Sequence, residues 1–348
     1  MTSADLAEPV TGVLTLRVSE VVRETADAVS IVLNAPELRY LPGQFLTLRI
    51  PGGGARCYSL ASSPYTGEPP RVTVKKVPGG AGSGWVCEEI RAGDVLECLP
   101  PAGTFTPASL DEDVLLLAGG SGITPCLSIA RSVLAAGTGT VTLVYANRDQ
   151  DSVIFRDALW GLAEEHPGRF AVVHWLEILQ GLPTRQALAA LLAPYATRTA
   201  YLCGPQPLMD GAEDVLREAG ATAVHRERYF SLSGDVFDMP TPASASASAS
   251  ASASASAGSS VTVTAELYGQ THQAAGDEHT PLLDALLAAG VPAPYSCREG
   301  ACAACTCRVV EGAVTLRHNE VLDAEDLAEG YTLACQALPT TGRVRVEY

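Results

Sequence analysis

Between residues 12 and 108, four runs carry the apolar–polar pattern of strands: residues 14–18, 30–33, 45–50 and 71–75. Glycine and proline punctuate them and only short helical patterns intervene, which predicts an antiparallel β-barrel. From residue 113 to 230 the pattern changes. Apolar strands at 114–118, 141–146, 170–175 and 199–203 alternate with helical periodicities at 125–136, 155–165, 184–192 and 207–219. Strand–helix alternation of this kind predicts a doubly wound parallel sheet. After residue 260, an alternating strand at 261–267 pairs with the run that follows Gly269. Thr280-Pro281 then opens a helix, with Thr280 as N-cap, and Gly290 closes it. A cysteine-rich loop and a last strand at 343–348 complete a small α+β domain of about 88 residues.

Residues 243–257 alternate Ala and Ser, between Pro240 and Pro242 on one side and Gly258-Ser259-Ser260 on the other. No large side chain occurs there to offset the entropy of ordering, so the segment reads as a flexible linker. The expected organisation is therefore a barrel at 12–108, an α/β domain at 109–232, a linker at 233–260 and a small domain at 261–348.

The chain has 348 residues, 47% of them hydrophobic and 18% charged, which is globular composition. Its net charge of −16, with Lys75 and Lys76 as its two lysines, argues against a nucleic-acid partner, which needs a basic stripe. The most apolar stretch, 114–136, is broken by Gly119, Gly120, Ser121, Gly122, Pro125 and Arg131, so no membrane span is expected. The first ten residues lack a basic flank and an apolar core, so no secretory signal is expected either and a cytoplasmic location is. Ten cysteines in such a chain read as metal ligands and buried small hydrophobes rather than as a disulfide framework.

Cys297, Cys302 and Cys305 stand in a C-x4-C-x2-C array, and Cys335 follows after 29 intervening residues, 30 positions on from Cys305. This is the plant-type [2Fe–2S] ligand spacing: two bridged irons take four thiolates, three of them from one tight loop. Gly300, Ala301, Ala303 and Ala304 keep that loop free of bulk. The alternative is a structural zinc site, but zinc favours two short knuckles and one is clear here. Cys307 is surplus and reads as a buried small hydrophobe.

Two further motifs precede it. Arg56-Cys57-Tyr58-Ser59 offers a cation for a pyrophosphate, a ring to lie against a flavin and a hydroxyl for its ring nitrogen. Gly80-Ala81-Gly82-Ser83 downstream offers amides and a hydroxyl to phosphate oxygens. Gly119-Gly120-Ser121-Gly122-Ile123-Thr124-Pro125 lies between an apolar strand and a helix, the context of a dinucleotide loop without the G-x-G-x-x-G pattern. Cys203-Gly204-Pro205 ends a later strand, at the edge where such sheets bind ligands.

The order of these motifs resembles the ferredoxin–NADP reductase superfamily in its oxygenase-reductase form, with a C-terminal plant-type ferredoxin domain, over nearly the whole chain. The resemblance implies an FAD-binding antiparallel β-barrel, a nicotinamide-nucleotide domain and a β-grasp ferredoxin domain. It implies an NAD(P)H-dependent reductase that passes electrons through FAD and a [2Fe–2S] cluster to a separate mono- or dioxygenase, with a non-catalytic electron-transfer or regulatory component as the alternative. Arg56 would hold the FAD pyrophosphate, Tyr58 would contact the isoalloxazine, Ser59 would sit near its N5, and Gly80, Gly82 and Ser83 would meet phosphates. Gly120, Gly122, Thr124, Cys203, Gly204 and Pro205 would frame the nicotinamide nucleotide, and Phe230 would shield the flavin. Tyr58, Ser59 and Cys203 are the expected catalytic contacts, and Cys297, Cys302, Cys305 and Cys335 the metal ligands. Ala303-Ala304 stands where the family pattern has Gly-Ala or Gly-Thr, and Pro100-Pro101 where glycine is usual.

Two finer expectations concern charge. Arg148 and Arg156 can attract a 2′-phosphate, but Asp149 and Asp151 repel it, which favours NADH with NADPH as the alternative. Glu320, Asp323, Glu325, Asp326 and Glu329 form an acidic stretch with which the ferredoxin domain would dock its oxygenase.

Overall fold

The alternating runs of the first domain become strands β1 (Leu14–Thr25), β2 (Ala28–Asn34), β3 (Phe45–Arg49), β4 (Ala55–Ser59), β5 (Arg71–Lys75) and β6 (Val95–Ala102), with helix α1 (Ala81–Glu88) between the last two. The computed structural model describes residues 12–52, 54–229, 232, 236–237, 261–267, 269–322 and 324–348. Phe230, Asp323 and all of the linker segment 233–260 except Val236 and Phe237 lie outside these residues.

The six strands form one sheet in the order β4-β3-β6-β1-β2-β5. A bridge between Leu60 and Val72 ties its two ends together, so the sheet curls into a barrel. Its core holds Val18, Ile31, Leu33, Leu46, Leu48, Leu60, Val72 and Val86. Two of these strands, β4 and β6, are additions to the sequence reading. Pro100 and Pro101 obscure the end of β6, yet both lie within it.

The second domain consists of β7 (Val114–Gly119), α2 (Ile123–Ala136), β8 (Val141–Asn147), α3 (Arg156–Glu165), β9 (Phe170–Leu176), α4 (Glu177–Gln180), α5 (Arg185–Leu192), β10 (Thr199–Cys203), α6 (Gln206–Glu218) and β11 (Val224–Glu227). The strands are all parallel, in the order β11-β10-β7-β8-β9. Central β7 is buried along its whole length. Val114, Leu116 and Ala118 join the core on one face, with α2 and α3, while Leu115 and Leu117 join the core on the other, with α5 and α6. Burial on both faces explains the unbroken apolar run. From β7 the chain steps one way to β8 and β9, and the other way to β10 and β11. The carboxyl ends of β7 and β10 therefore flank the crevice where sheets of this kind bind ligands. Helix α2 starts at Ile123, two residues before the expected Pro125, because a 3-10 turn at Gly120–Gly122 leads into it. Proline is tolerated there, since first-turn amides need no helical acceptor.

Contacts divide the chain into two units, one built from residues 14–50 and 56–231, the other containing residues 261–348. The second unit has strands β12 (Val261–Leu267), β13 (Gln270–Gly276), β14 (Thr306–Glu311), β15 (Val314–Leu316), β16 (Tyr331–Leu333), β17 (Ala337–Pro339) and β18 (Arg343–Glu347), with helices α7 (Leu282–Ala288) and α8 (Ala324–Ala328). β12 and β13 form the expected hairpin, β18 runs parallel to β12, and β14 and β16 extend the sheet. A helix packed over a mixed sheet of this order is the β-grasp arrangement. One detail differs from expectation. Pro281, not Thr280, occupies the cap of α7, without a side-chain cap bond. The helix begins at Leu282, which leaves Thr280 one residue outside the cap, and its hydroxyl donates to Asp277 Oδ1 at 2.8 Å.

Candidate functional site: a flavin–nucleotide cleft and a four-cysteine loop

Strand β4 carries Arg56, Tyr58 and Ser59 to the wall of a cleft of about 300 Å³ that Gly80, Gly82, Ser83 and Thr124 also line. Gly82, in the first turn of α1, lies so close to Arg56 that a Cβ there would stand 2.9 Å from the arginine Cγ. Burial pushes the Tyr58 phenol well above its ordinary value, so it stays neutral. The Ser83 hydroxyl accepts from Val77 N at 3.0 Å and donates to Gly80 O at 3.4 Å, so it braces the turn that presents the α1 amides.

On the other side the two glycine turns of the sheet press together. A Cβ on Gly122 would lie 2.0 Å from Cys203 O, one on Gly204 would lie 2.9 Å from Gly119 N, and one on Gly119 would lie 2.6 Å from Pro205 Cδ. The crevice between β7 and β10 thus requires glycine at these three positions, and Gly120 at φ 54° turns the chain into it. Cys203 is 1% exposed, and burial raises its thiol well above the ordinary range. It lies at this crevice as a neutral thiol.

Two residues that the motifs did not single out line the cleft, Lys75 and Tyr229, and a third, Glu227, is tied to it through Ser59. Glu227, the last residue of β11, pairs in register with Cys203 on β10. Ser59 donates to Glu227 Oε2 at 2.9 Å. Burial pushes the Glu227 carboxyl up to about 8. Tyr229 shares a 2.8 Å hydrogen bond with Thr124 and donates to Ser121 O at 3.1 Å. Lys75, from β5, lines the same cleft, and its Nζ is 3.9 Å from where a Gly120 Cβ would stand. A carboxylate at a strand's carboxyl end was the available signal for Glu227. Tyr229 and Lys75 carried none.

In the C-terminal unit, Cys297, Cys302, Cys305 and Cys335 are all buried. Their sulfurs are neighbours in sequence-distant pairs: Cys297 with Cys302 and Cys335, and Cys335 also with Cys305. Hydrogen bonds among the thiols hold Cys297 and Cys305 low and raise Cys302 and Cys335. Cys297 and Cys335 each neighbour two of the other sulfurs, so the four form one connected donor set. Backbone amides of Glu299 and Cys297 donate to the sulfurs of Cys297 and Cys302, at 3.3 and 3.4 Å. Gln336 Nε2 donates to Arg298 O at 2.7 Å and approaches Cys335 Sγ at 3.7 Å. Arg298 and Ala303 adopt left-handed φ values of 59° and 55°. Arg298 is held by an ion pair with Asp284 on α7. At Ala303 the strained backbone explains why the family pattern has glycine there, a cost of roughly 1 kcal/mol. Cys307 is buried on β14, and burial raises its thiol above the ordinary range.

Three family models match the chain: an oxidoreductase FAD-binding domain over residues 14–106, an oxidoreductase NAD-binding domain over 116–214, and a 2Fe-2S iron-sulfur cluster binding domain over 265–340. The chain is 50% identical over 344 residues, 96% of each sequence, to a 3-ketosteroid-9-alpha-monooxygenase ferredoxin reductase component of Rhodococcus rhodochrous. It belongs to the family of oxygenase reductase components. A second relative of this reductase is a component of the 1,2-phenylacetyl-CoA epoxidase of Escherichia coli, 34% identical and spanning 96% of this chain and 97% of that one. The fold of phthalate dioxygenase reductase covers 97% of the chain and 98% of that structure, with a TM-score of 0.57 and 24% identity. The reductase is an oxidoreductase that passes electrons from NAD(P)H, through FAD and a [2Fe–2S] cluster, to a separate oxygenase. The glycine-crowded crevice, the cation and phenol on β4 and the four-sulfur donor set fit those groups chemically. Among the described residues no helix is long and apolar enough to cross a membrane.

Proposed function

We propose that the reductase serves a 3-ketosteroid-hydroxylating oxygenase, draws its electrons from NADH, and docks that oxygenase through its ferredoxin domain. The 50% identity over 96% of both chains carries the first point, set against 34% to the epoxidase component. In this reading the domains run 12–108, 109–232 and 261–348, with 233–260 as the linker. FAD is held by Arg56 at its pyrophosphate, by Tyr58 along its ring and by Ser59 near N5, with Gly80, Gly82 and Ser83 at the phosphates. The nicotinamide nucleotide lies among Gly120, Gly122, Thr124, Cys203, Gly204 and Pro205, and Cys297, Cys302, Cys305 and Cys335 hold the cluster. FAD supplies the step from two-electron to one-electron chemistry; the protein supplies position and protons. A carboxyl that keeps its proton at neutral pH accepts from Ser59 Oγ at 2.9 Å, so Glu227 holds a proton in store next to Ser59. Thr124 and Tyr229 clasp the glycine turn and fix the angle of its amides.

Reconstitution tests this reading. Combined with the oxygenase component of a 3-ketosteroid 9-alpha-monooxygenase, a 3-ketosteroid, NADH and oxygen, the reductase should support hydroxylation, and with an epoxidase partner and phenylacetyl-CoA it should support little. The reverse preference would overturn the assignment of partner. In the ferredoxin domain Glu320 pairs with His318 at 2.9 Å and Glu329 is exposed, while the side chain of Glu325 lies outside the described residues. Docking by this acidic stretch requires coupled turnover to fall as salt rises, because the Debye length shrinks from about 10 Å at 0.1 M to about 3 Å at 1 M. Salt-independent coupling would remove the acidic docking face.

A further inference from the structure

Arg148 follows β8 directly, at the carboxyl edge of the strand next to the glycine turn. In doubly wound sheets that edge is where a residue meets the adenosine ribose and discriminates a 2′-hydroxyl from a 2′-phosphate. The sequence places two acids after it, and an obvious reading is that they repel the phosphate. The structure gives one of them another task. Asp149 Oδ1 accepts from Ser152 N at 2.8 Å and from Ser152 Oγ at 2.7 Å, capping the short turn Gln150–Ser152.

The carboxylate that forms an ion pair with Arg148 comes from the flavin barrel. Asp27, in the turn between β1 and β2, has its Oδ2 3.4 Å from Arg148 Nη2 and 3.7 Å from Lys75 Nζ. Its other oxygen accepts from Thr25 Oγ1 at 2.8 Å. Its main chain is pinned by Lys76 N, which donates to Asp27 O at 2.7 Å. The carboxylate is therefore fixed in place with one oxygen turned to two cations, one from each domain. Lys75 is the cation beside Gly120, and Arg148 is 66% exposed, open to a ligand from solvent. Arg156, the other candidate cation, is paired with Asp157 at 3.3 Å.

We propose that Asp27 is a specificity-determining residue: by pairing Arg148 and Lys75 it withdraws from the adenosine end of the site the positive charge that a 2′-phosphate would need, and so selects NADH. This rests on the reading of the Gly120–Thr124 turn as the nucleotide site. With Asp27 the trio carries a single net positive charge; without it the trio carries two, facing a ligand whose extra group is a dianion. Asparagine at position 27 keeps the shape and can still accept from Thr25, so the substitution removes charge and little else.

The test is equilibrium binding of 5′-ADP and 2′,5′-ADP to the full-length, FAD-loaded protein by calorimetry, with displacement by NADH as a control. The wild type should bind 2′,5′-ADP no more tightly than 5′-ADP. Asp27→Asn should shift the ratio towards 2′,5′-ADP by about tenfold, the scale of one charge acting on a dianion across a partly solvated gap. Adding Arg148→Ala to that variant should remove most of the gain, which a merely structural role of Asp27 would not do. A ratio unchanged in Asp27→Asn while 5′-ADP still competes with NADH would overturn the inference alone, as would a wild type that prefers 2′,5′-ADP. Failure of 5′-ADP to compete with NADH would overturn the nucleotide-site reading, and the inference with it.

Discussion

Replacing Glu227 with glutamine should remove a pH dependence from the stability of the flavin–nucleotide unit. In the fold, burial pushes this carboxyl from its ordinary 4.5 up to about 8, against the smaller opposing effect of the Ser59 hydrogen bond. The sign follows from proton counting. Below pH 4.5 the group is protonated in folded and unfolded chains alike and its burial carries no ionic cost. Between 4.5 and 8 the unfolded chain releases the proton and the folded chain keeps it, so stability falls as pH rises, by up to about 1.4 kcal/mol per pH unit. Above 8 both forms are ionised and the loss is complete, at about 5 kcal/mol. Glutamine can still accept from Ser59 but has no proton to lose. Urea unfolding followed by flavin fluorescence reports on this unit rather than on the ferredoxin domain. Measured at pH 5.5, 7 and 8, the variant should gain on the wild type at each step. Parallel stability curves for the two proteins would refute the buried, protonated carboxyl, and with it the proton held beside Ser59.

Two other substitutions probe the cleft. Gly122→Ala puts a Cβ 2.0 Å from Cys203 O, so the two glycine turns must separate; we expect a loss of about 1–3 kcal/mol in stability and a raised KM for NADH, read by thermal unfolding and by ferricyanide reduction. Arg56→Ala removes a charge-assisted pairing worth about 1.5–3 kcal/mol, so the FAD dissociation constant should rise roughly tenfold to hundredfold, measured by fluorescence titration of the apoprotein.

The parts that read directly from sequence are those in which local pattern and tertiary demand coincide. The unbroken apolar run of β7 is apolar because both faces of that strand are buried, and the glycines after it are glycines because Cys203 and Pro205 lie against them. The cysteine spacing was equally legible, since a loop that wraps sulfurs leaves little choice of residue between them. Strand β4 was harder, because its motif Arg56-Cys57-Tyr58-Ser59 alternates weakly and reads as chemistry rather than as strand. Glu227 and Cys203 lie 24 residues apart and become neighbours only through the parallel register of β10 and β11. Asp27 and Arg148 lie still further apart, on different domains, and no periodicity links a barrel turn to the end of a sheet strand. Thr280 shows the same limit at short range: it has the composition of a helix cap, but the helix starts one residue later, at Leu282, with Pro281 in the cap position.

Anaerobic addition of NADH to the purified protein, followed by visible absorbance and by electron paramagnetic resonance, tests the electron path most directly. The flavin absorbance should bleach, and the signal of a reduced [2Fe–2S] cluster should then appear. In Cys305→Ser the flavin should still bleach while the cluster signal is lost, and in Cys307→Ala both should persist. Absence of bleaching with either NADH or NADPH, or a cluster signal that survives Cys305→Ser, would contradict the account.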